Sequence, residues 1–259
     1  MRALSLIALA TLTAGCEEEP NLFTIEDDIE LGQQLRDEIA NSPEEYPLLA
    51  REDYPEAYGH LDRIRDNILQ SDDIRYRDQF EWELRLVHDD ETLNAFAAPG
   101  GYMYVYTGLI RFLDREDDLA GVIGHEIAHA DQRHSTEQLT KAYGLATVIS
   151  LVLGNDPGLL AEIAAGLVNL SFSRADETES DEFSVRYLCD SPYAANGAAE
   201  FFRKLEGAQV PAFLSTHPNP DNRVEKIDEL AAELGCSTET YAGGQYADFI
   251  DSLPPVTEE

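Results

Sequence analysis

The sequence predicts a mainly helical α+β domain with a small β-sheet, and three patterns indicate this fold class. Apolar residues recur at helical spacing in several segments of the 259-residue chain. Phe80 to Leu86 alternates strictly between apolar and polar residues, which predicts a half-buried strand. Tyr102 to Tyr106 is rich in aromatic and β-branched residues, as strands are. The length suffices for one good-sized domain or two small ones.

The predicted helices share apolar residues spaced three or four positions apart. They cover residues 25–39, 57–69, 108–113, 117–135, 177–188, 198–206 and 223–234. Asn41 to Pro55 contains three prolines and predicts a loop. Asn94 to Phe96 is a short extended stretch, and Pro99-Gly100-Gly101 is a turn before the partner strand at residues 102–106.

Two largely apolar segments, at residues 143–153 and 159–170, lie on either side of a break at residues 155–158. Each segment is too short to cross a membrane. We interpret them as a pair of core helices. The alternative is a hydrophobic flap over a cleft, or a surface that contacts a membrane or a partner.

His125, Glu126 and His129 form the sequence His-Glu-Ile-Ala-His, which is the H-E-x-x-H pattern. In a helix the two histidines lie on one face, so both imidazoles can bind a single metal ion. Glu126 then lies beside the metal, where its carboxylate can take a proton from a metal-bound water. The run from Asp114 to Asp118 supplies N-cap candidates and first-turn acids before the motif. The pattern is that of a zinc-dependent hydrolase, and a surface helix with two chance histidines is the alternative.

The chain is strongly acidic, with 51 acidic and 18 basic residues and a formal charge of −33. Binding to nucleic acid needs basic surface, and so does loose electrostatic adhesion to anionic lipid. The composition therefore argues against both classes of partner.

The N-terminus has the pattern of a lipoprotein signal peptide. Met1-Arg2 is a short basic start, and the apolar run from Ala3 to Leu12 is too short to span a bilayer. Small residues before Cys16 resemble the bacterial lipobox, which predicts a signal peptide over residues 1–15, lipidation of Cys16 and a tether over 16–25. By resemblance to known lipoprotein sorting preferences, Glu17 after this cysteine implies a periplasmic protein anchored to the outer membrane. A secretory signal with a chance cysteine is the alternative.

Cys189 and Cys236 are the remaining cysteines. In an oxidising periplasm an even pair predicts one disulfide, and two separate buried thiols are the alternative. The tail over residues 236–259 is acidic and contains proline, so we expect it to pack poorly.

A catalytic zinc site needs three protein ligands and one open position. Several acids downstream of the motif are candidates for the third ligand: Asp176, Glu177, Glu179, Asp181 and Glu182. Periodicity leaves a near tie between them. Glu177 and Asp181 share one helix face, whereas Glu179 shares another face with Phe183, and either face can point inward.

Three ordered motifs resemble those of a known family. They are His-Glu-Ile-Ala-His, then Asn94-Ala95-Phe96-Ala97-Ala98-Pro99-Gly100-Gly101, and then Ser173-Arg174 before Glu177-Thr178-Glu179-Ser180-Asp181. In these the chain resembles the Ste-twenty-four and HtpX-like metalloproteases, peptidase family forty-eight, with BepA-like and Oma-like enzymes as near relatives. The resemblance implies a zincin-like (gluzincin) domain over residues 26–235 with one Zn²⁺ per chain. It also implies Glu177 as the third zinc ligand and Asp181 as the carboxylate that orients a ligand histidine.

The resemblance further makes Asn94, Ala95, Phe96 and Ala97 part of an edge strand that lines the cleft and binds an extended substrate. An ordinary packed strand is the alternative. His217 and Arg223 resemble a motif near the active site, where either can steady the oxyanion. A structural role for His217 is the alternative.

The other histidines are interpreted as structural: His60, His88 and His134. His134 lies five residues beyond His129 and therefore rotates off the ligand face of a continuous helix.

The implied function is a zinc endopeptidase in which Glu126 is the general base and acid. Its expected substrates are unfolded or misassembled envelope polypeptides, with a lipid anchor and the outer-membrane assembly machinery as expected partners. One alternative is a largely non-catalytic, chaperone-like periplasmic lipoprotein that retains the zinc fold. Another is a structural zinc protein with a fourth protein ligand. An integral-membrane relative is excluded because no apolar run is long enough.

Overall fold

The computed structural model describes residues 21, 23–153, 156–206, 211–219 and 222–256. The predicted signal peptide and Cys16 lie outside these residues, as does most of the predicted tether. Within the described ranges, no helix has both the length and the apolar character needed to cross a membrane.

Helices form most of the described chain. They are α1 (Ile25–Ala40), α2 (Pro55–Ile68), α3 (Thr107–Phe112), α4 (Glu116–Asp131), α5 (His134–Tyr143), α6 (Leu145–Val152), α7 (Pro157–Gly166), α8 (Arg174–Cys189), α9 (Gly197–Glu206), α10 (Pro211–Thr216), α11 (Arg223–Leu234) and α12 (Tyr246–Ser252). The predicted helices are present with ends shifted by a few residues, except the one that contains the H-E-x-x-H motif. Helix α5 and the short helices α10 and α12 are not among the predicted elements.

The sheet has the strands β1 (Glu83–Val87), β2 (Ala95–Ala98) and β3 (Tyr102–Tyr106) in the order β1-β3-β2. β3 pairs with β1 in parallel and with β2 in antiparallel orientation, so β2 lies at one edge. β1 begins later than the alternating pattern predicts. Trp82 has a φ of 46°, which interrupts the extended backbone just before Glu83. This mainly helical fold with a small sheet is the predicted fold class.

Helix α4 carries the H-E-x-x-H motif, and every one of its residues is buried. It packs against α8 and α9 and also against β2. The approach of α9 is close, because a Cβ at Gly121 would lie 2.1 Å from the backbone nitrogen of Ala198. A Cβ at Gly197 would lie 2.0 Å from the carbonyl oxygen of Asp117. Only glycine therefore permits this helix crossing, which sets the position of α4 in the core.

The predicted helix over residues 117–135 is wrong at its C-terminal end. α4 stops at Asp131, Arg133 adopts a left-handed conformation with φ 67°, and α5 begins at His134. Tertiary contacts explain the break, since Arg133 forms an ion pair with Asp28 of α1 and its guanidinium also donates to the carbonyl oxygen of Phe23. The chain therefore changes direction directly after the motif.

The two apolar segments form α6, α7 and a 3₁₀ turn over Leu167–Asn169. Val148, Leu151 and Ile163 are buried in a cluster with residues of α1 and β2, as the prediction of core helices requires. The opposite edge of α6 is exposed, with Ile149 at 48% exposure.

The tail was expected to pack poorly, and this expectation is wrong. Phe249 and Leu253 are buried, and α12 packs against α2. The apolar residues Phe249, Ile250 and Leu253 recur at helical spacing, a signal that the acidic composition of the tail obscured. Cys189 and Cys236 are joined by a disulfide with an Sγ–Sγ distance of 1.97 Å, which ties the end of α8 to the start of this tail.

Candidate metal centre

Two helices bring three predicted ligand residues together. His125 and His129 lie one turn apart on α4, with their Nε2 atoms 3.0 Å from each other. Glu177 on α8 lies opposite, with Oε1 3.3 Å from His129 Nε2 and Oε2 3.4 Å from His125 Nε2. All three side chains are buried. Their ligand atoms therefore converge on one point, as the binding of a single ion requires.

His217 joins this group from the other side. Its Nδ1 lies 3.0 Å from Glu177 Oε1, and its ring stacks on Phe213 with a centroid distance of 4.5 Å. The ligand atoms of His125, His129, Glu177 and His217 all lie within 4.8 Å of one another. The cluster thus offers four protein ligands, one more than a catalytic zinc site uses.

The carboxylate of Glu126 is buried beside this cluster. Neither of its oxygen atoms has a hydrogen-bond partner, and neither does His217 Nε2, which lies 3.6 Å from Glu126 Oε1. Buried polar atoms in proteins are nearly always paired, so partnerless atoms here point to a ligand that completes them. Converging imidazole and carboxylate ligands fit a zinc ion, and the free carboxylate beside them fits the water that such an ion binds.

Asp181 and Arg223 support the cluster from behind His125. Asp181 Oδ1 lies 3.0 Å from His125 Nδ1, the ring nitrogen that faces away from the converging atoms. Arg223 donates to both oxygens of Asp181 at 2.6 and 2.7 Å, and its guanidinium also lies 3.0 Å from Glu177 Oε2. The same guanidinium stacks over the ring of Phe202 at 3.6 Å. Arg223 therefore contacts both Glu177 of the cluster and Asp181 behind His125.

The electrostatics of the cluster are shaped by burial. Burial alone lowers the pKa of His125, but hydrogen bonds with Asp181 and Glu177 outweigh it and raise the pKa to about 9. The pKa of His129 falls well below its usual range because burial dominates there. Burial raises the pKa of Glu126. The pKa of Glu177 is held far below its usual range, because the neighbouring histidines outweigh its burial.

The predicted substrate-binding strand lies at the sheet edge beside α4. Asn94 to Ala97 are all buried, and the carbonyl oxygen of Asn94 accepts a hydrogen bond from the backbone of Tyr106. The hydroxyl of Ser135 donates to the carbonyl oxygen of Ala97 at 2.9 Å, and the 3₁₀ turn at residues 167–169 packs against the strand. The strand therefore has the predicted position, but neighbouring segments cover it.

His134 was interpreted as structural and rotated away from the ligands, and the structure corrects that geometry. The left-handed Arg133 turns the chain so that His134 Nδ1 lies 3.0 Å from His129 Nδ1. His134 Nε2 lies 3.2 Å from Glu179 Oε2. The sequence spacing gives no sign of this contact, because in a helix that continued through residue 135 His134 would point away from His129.

The remaining candidate acids lie outside the cluster of ligand atoms. Asp176 belongs to the capping box of α8, where its carboxylate accepts from the backbone of Ser173 at 2.9 Å. The side chain of Glu179 is 47% exposed, and Glu182 is exposed. Helix α8 therefore turns the face that carries Glu177 and Asp181 towards the ligand histidines and leaves Glu179 and Glu182 towards the solvent.

The sequence matches the model of peptidase family M48 over residues 55–231, which is more than half of the chain. Curated relatives agree with this match. The mitochondrial metalloendopeptidase OMA1 of Schizosaccharomyces pombe is 32% identical over 169 residues, which cover 62% of this chain and 50% of the relative. A putative beta-barrel assembly-enhancing protease of Vibrio cholerae is 30% identical, over 56% of this chain and 34% of the relative.

The metalloprotease YcaL of Escherichia coli is 29% identical over 56% of this chain and 61% of its own length. The chain thus spans less than two thirds of the length of these relatives. The residues matched by the family model include α4 and α8 together with His217 and Arg223. The chain belongs to peptidase family M48.

Proposed function

We propose that this protein is a zinc-dependent endopeptidase. One observation carries the proposal: the buried, partnerless carboxylate of Glu126 lies beside converging ligand atoms from His125, His129 and Glu177. A structural metal site gives no reason to bury an unpaired acid at its side. An acid in that position is what a hydrolase uses to move a proton.

His125, His129 and Glu177 would hold the zinc ion. When bound, zinc supplies a Lewis acid that polarises the scissile carbonyl and lowers the pKa of a water. Asp181 accepts from His125 Nδ1–H and thereby directs the Nε2 lone pair of His125 towards the cluster. Arg223 holds Asp181 in this orientation through two hydrogen bonds.

Glu126 accepts a proton from the attacking water at one of its partnerless oxygens and later gives it to the leaving amine. Burial raises the pKa of this carboxyl, which makes its ionised form a stronger base than an exposed glutamate. His217 Nε2 faces the same space and is without a hydrogen-bond partner, so the imidazolium form of His217, whose Nδ1–H faces Glu177, can donate from Nε2 to the oxyanion that forms on the substrate carbonyl.

The proposed substrates are polypeptides in extended conformation. β2 lies at the sheet edge, where a substrate can add a strand through main-chain hydrogen bonds. The Ser135 hydroxyl already donates to the carbonyl oxygen of Ala97, and the 3₁₀ turn at residues 167–169 packs against β2, so this turn must move before a substrate strand can pair there. Unfolded or misassembled chains expose such segments, whereas folded proteins do not.

We also propose that the enzyme acts in the bacterial envelope, attached by lipidated Cys16 to the outer membrane. The lipobox-like N-terminus supports the anchor, and the name of the Vibrio cholerae relative, a putative beta-barrel assembly-enhancing protease, supports a link to outer-membrane assembly. Globomycin treatment of cells is expected to leave the chain unprocessed at Cys16. Normal processing in treated cells would contradict the anchor.

The catalytic test compares wild type with Glu126→Gln, which keeps the shape of the side chain and removes its charge. We expect wild type to bind one zinc per chain and to digest casein. The variant should retain zinc and lose activity by at least about 10²-fold. Glu182→Gln is the matched control, because it removes an exposed acid from α8. Equal activity of wild type and Glu126→Gln would refute the proposed role of Glu126.

The four-residue cluster favours one alternative, a closed structural zinc site with His217 as the fourth ligand. His217→Ala separates the two functions. A structural site that loses one of four ligands should lose most of its zinc affinity and much of its thermal stability. The proposed enzyme keeps three ligands and should retain stoichiometric zinc.

A further inference from the structure

A hydrogen-bonded chain extends from the second ligand histidine towards the protein surface. His134 begins α5, and its buried ring places Nδ1 3.0 Å from His129 Nδ1. On the other side of the ring, Nε2 lies 3.2 Å from the carboxylate of Glu179. The hydroxyl of Ser180 lies 3.3 Å from the same Nδ1 of His134.

The proton positions in this chain follow from donor and acceptor chemistry. A carboxylate only accepts hydrogen bonds, so the ring nitrogen that faces Glu179 must carry a proton. A neutral His134 therefore has Nε2–H and an unprotonated Nδ1. That Nδ1 can only accept, so the proton between the two histidines belongs to His129 Nδ1.

This arrangement leaves His129 Nε2 without a proton. Nε2 is the atom that faces His125 and Glu177, at 3.0 and 3.3 Å. A histidine binds a metal through an unprotonated ring nitrogen, so His129 is held in its ligand tautomer and in a fixed orientation. The ring of Phe172 stacks on His129 with a centroid distance of 4.0 Å and restricts it further.

We propose that His134 and Glu179 are positioning residues that hold His129 ready to bind the metal ion. The inference deepens the proposed function, since it concerns the same zinc site. The two ligand histidines are supported differently: Asp181 contacts His125 directly, whereas Glu179 acts on His129 through the imidazole of His134. Neither His134 nor Glu179 supplies a ligand atom to the cluster.

Glu179→Gln tests the proposal with little risk to folding, because the side chain of Glu179 is 47% exposed. A glutamine amide can donate to His134 Nε2, which permits the other tautomer of His134 and removes the reason for a proton on His129 Nδ1. We expect the zinc affinity, measured by competition with a chelator, to fall about 10- to 100-fold. The visible absorption of the cobalt-substituted protein should change as well.

Two further variants complete the test. Glu179→Asp keeps the carboxylate and should recover part of the lost affinity, whereas Glu182→Gln removes an exposed acid of the same helix and should bind zinc like wild type. Thermal unfolding of the metal-free proteins should be the same for all variants. Wild-type zinc affinity and an unchanged cobalt spectrum in Glu179→Gln would overturn the proposal.

Metal binding and proteolysis give separate answers. If wild type binds zinc and Glu179→Gln binds it weakly, the positioning role stands even where casein is not cleaved, and only the proposed function fails. If both proteins bind zinc equally and wild type cleaves casein, the proposed function stands and the positioning role fails. A wild type that binds neither zinc nor cobalt would overturn both.

Discussion

Helix α4 buries acidic side chains both at its N-terminal end and in its H-E-x-x-H motif, but their surroundings are opposite. At the N-terminal end, Glu116 forms an ion pair with Arg63 and accepts from the hydroxyl of Tyr193 at 3.0 Å. Asp117 accepts from the backbone nitrogens of Ala194 at 2.8 Å and Tyr241 at 3.1 Å. These acids join α4 to α2, to the segment before α9 and to the C-terminal tail.

In the motif, Glu126 is buried without any partner for its two oxygens, whereas Asp131 at the end of the helix accepts from the backbone nitrogens of Arg75 and Tyr76. The Nδ1 atoms of His125 and His129 contact Asp181 and His134. Their Nε2 atoms contact each other and Glu177, and that of His125 also lies near the guanidinium of Arg223. The difference distinguishes the buried acids that hold the fold from the one buried acid of the motif whose oxygens make no hydrogen bond. Paired acids stabilise the architecture, whereas unpaired acids cost stability and are retained for chemistry.

The largest expected effect on stability comes from the disulfide, which ties the C-terminal tail, a partner of the N-terminal end of α4, to α8. Replacing Cys189 and Cys236 together by alanine should lower the free energy of unfolding by about 4 kcal/mol, because the bond closes a long loop. Urea unfolding measures this loss, and reduction of wild type should reproduce it. Stoichiometric zinc should be retained. Loss of zinc from the folded double variant would show that the contacts at the N-terminal end of α4 and the H-E-x-x-H motif are not independent.

The next largest effect is expected from Asp117→Asn. The amide in this variant keeps one acceptor oxygen, but without a charge it binds the backbone nitrogens of Ala194 and Tyr241 less strongly than the carboxylate does. We expect a loss of about 2 kcal/mol in the free energy of unfolding, with zinc content and casein cleavage per folded molecule unchanged. Glu200→Gln, an acid at the start of α9, is the control. If Asp117→Asn is as stable as wild type but inactive, then Asp117 serves activity rather than the fold, and the contrast with Glu126 fails.

The smallest expected effect is a pH dependence of the free energy of unfolding that comes from His60, which lies near the N-terminal end of α4. His60 Nδ1 lies 3.1 Å from the guanidinium of Arg63, and its ring stacks on Phe249 of α12 at 5.3 Å. Burial and then the charge of Arg63 lower the pKa of His60 below its ordinary value of 6.5. The folded state thus binds this proton less well than the unfolded state does. The contribution of neutral His60 to the free energy of unfolding is therefore fully present above pH 6.5. It is lost as the pH falls towards the pKa that His60 has in the folded protein.

Unfolding of wild type and His60→Gln at about pH 7.5 and about pH 5, on either side of the ordinary histidine pKa, measures this contribution. Wild type should lose slightly more stability than the variant between the two pH values. An equal loss in both proteins would assign the acid sensitivity to other groups.

Much of the fold was predictable from the sequence because helix periodicity is a local signal. The bounds of α11 agree with the prediction, and those of α1 and α9 differ by one residue. Predictions failed where a distant contact overrides local preference. The left-handed Arg133 is stabilised by Asp28, which is far away in sequence, and α12 forms because its apolar residues find α2.

By itself, the sequence determined the H-E-x-x-H face of α4, since residues four positions apart share a face in any helix. It also named the acids that are candidates for the third ligand. Only the tertiary structure decided that α8 turns Glu177 inward, that His217 enters the cluster and that His134 returns to His129. Those three choices depend on how separate elements pack against one another, and no spacing along a single element contains that information.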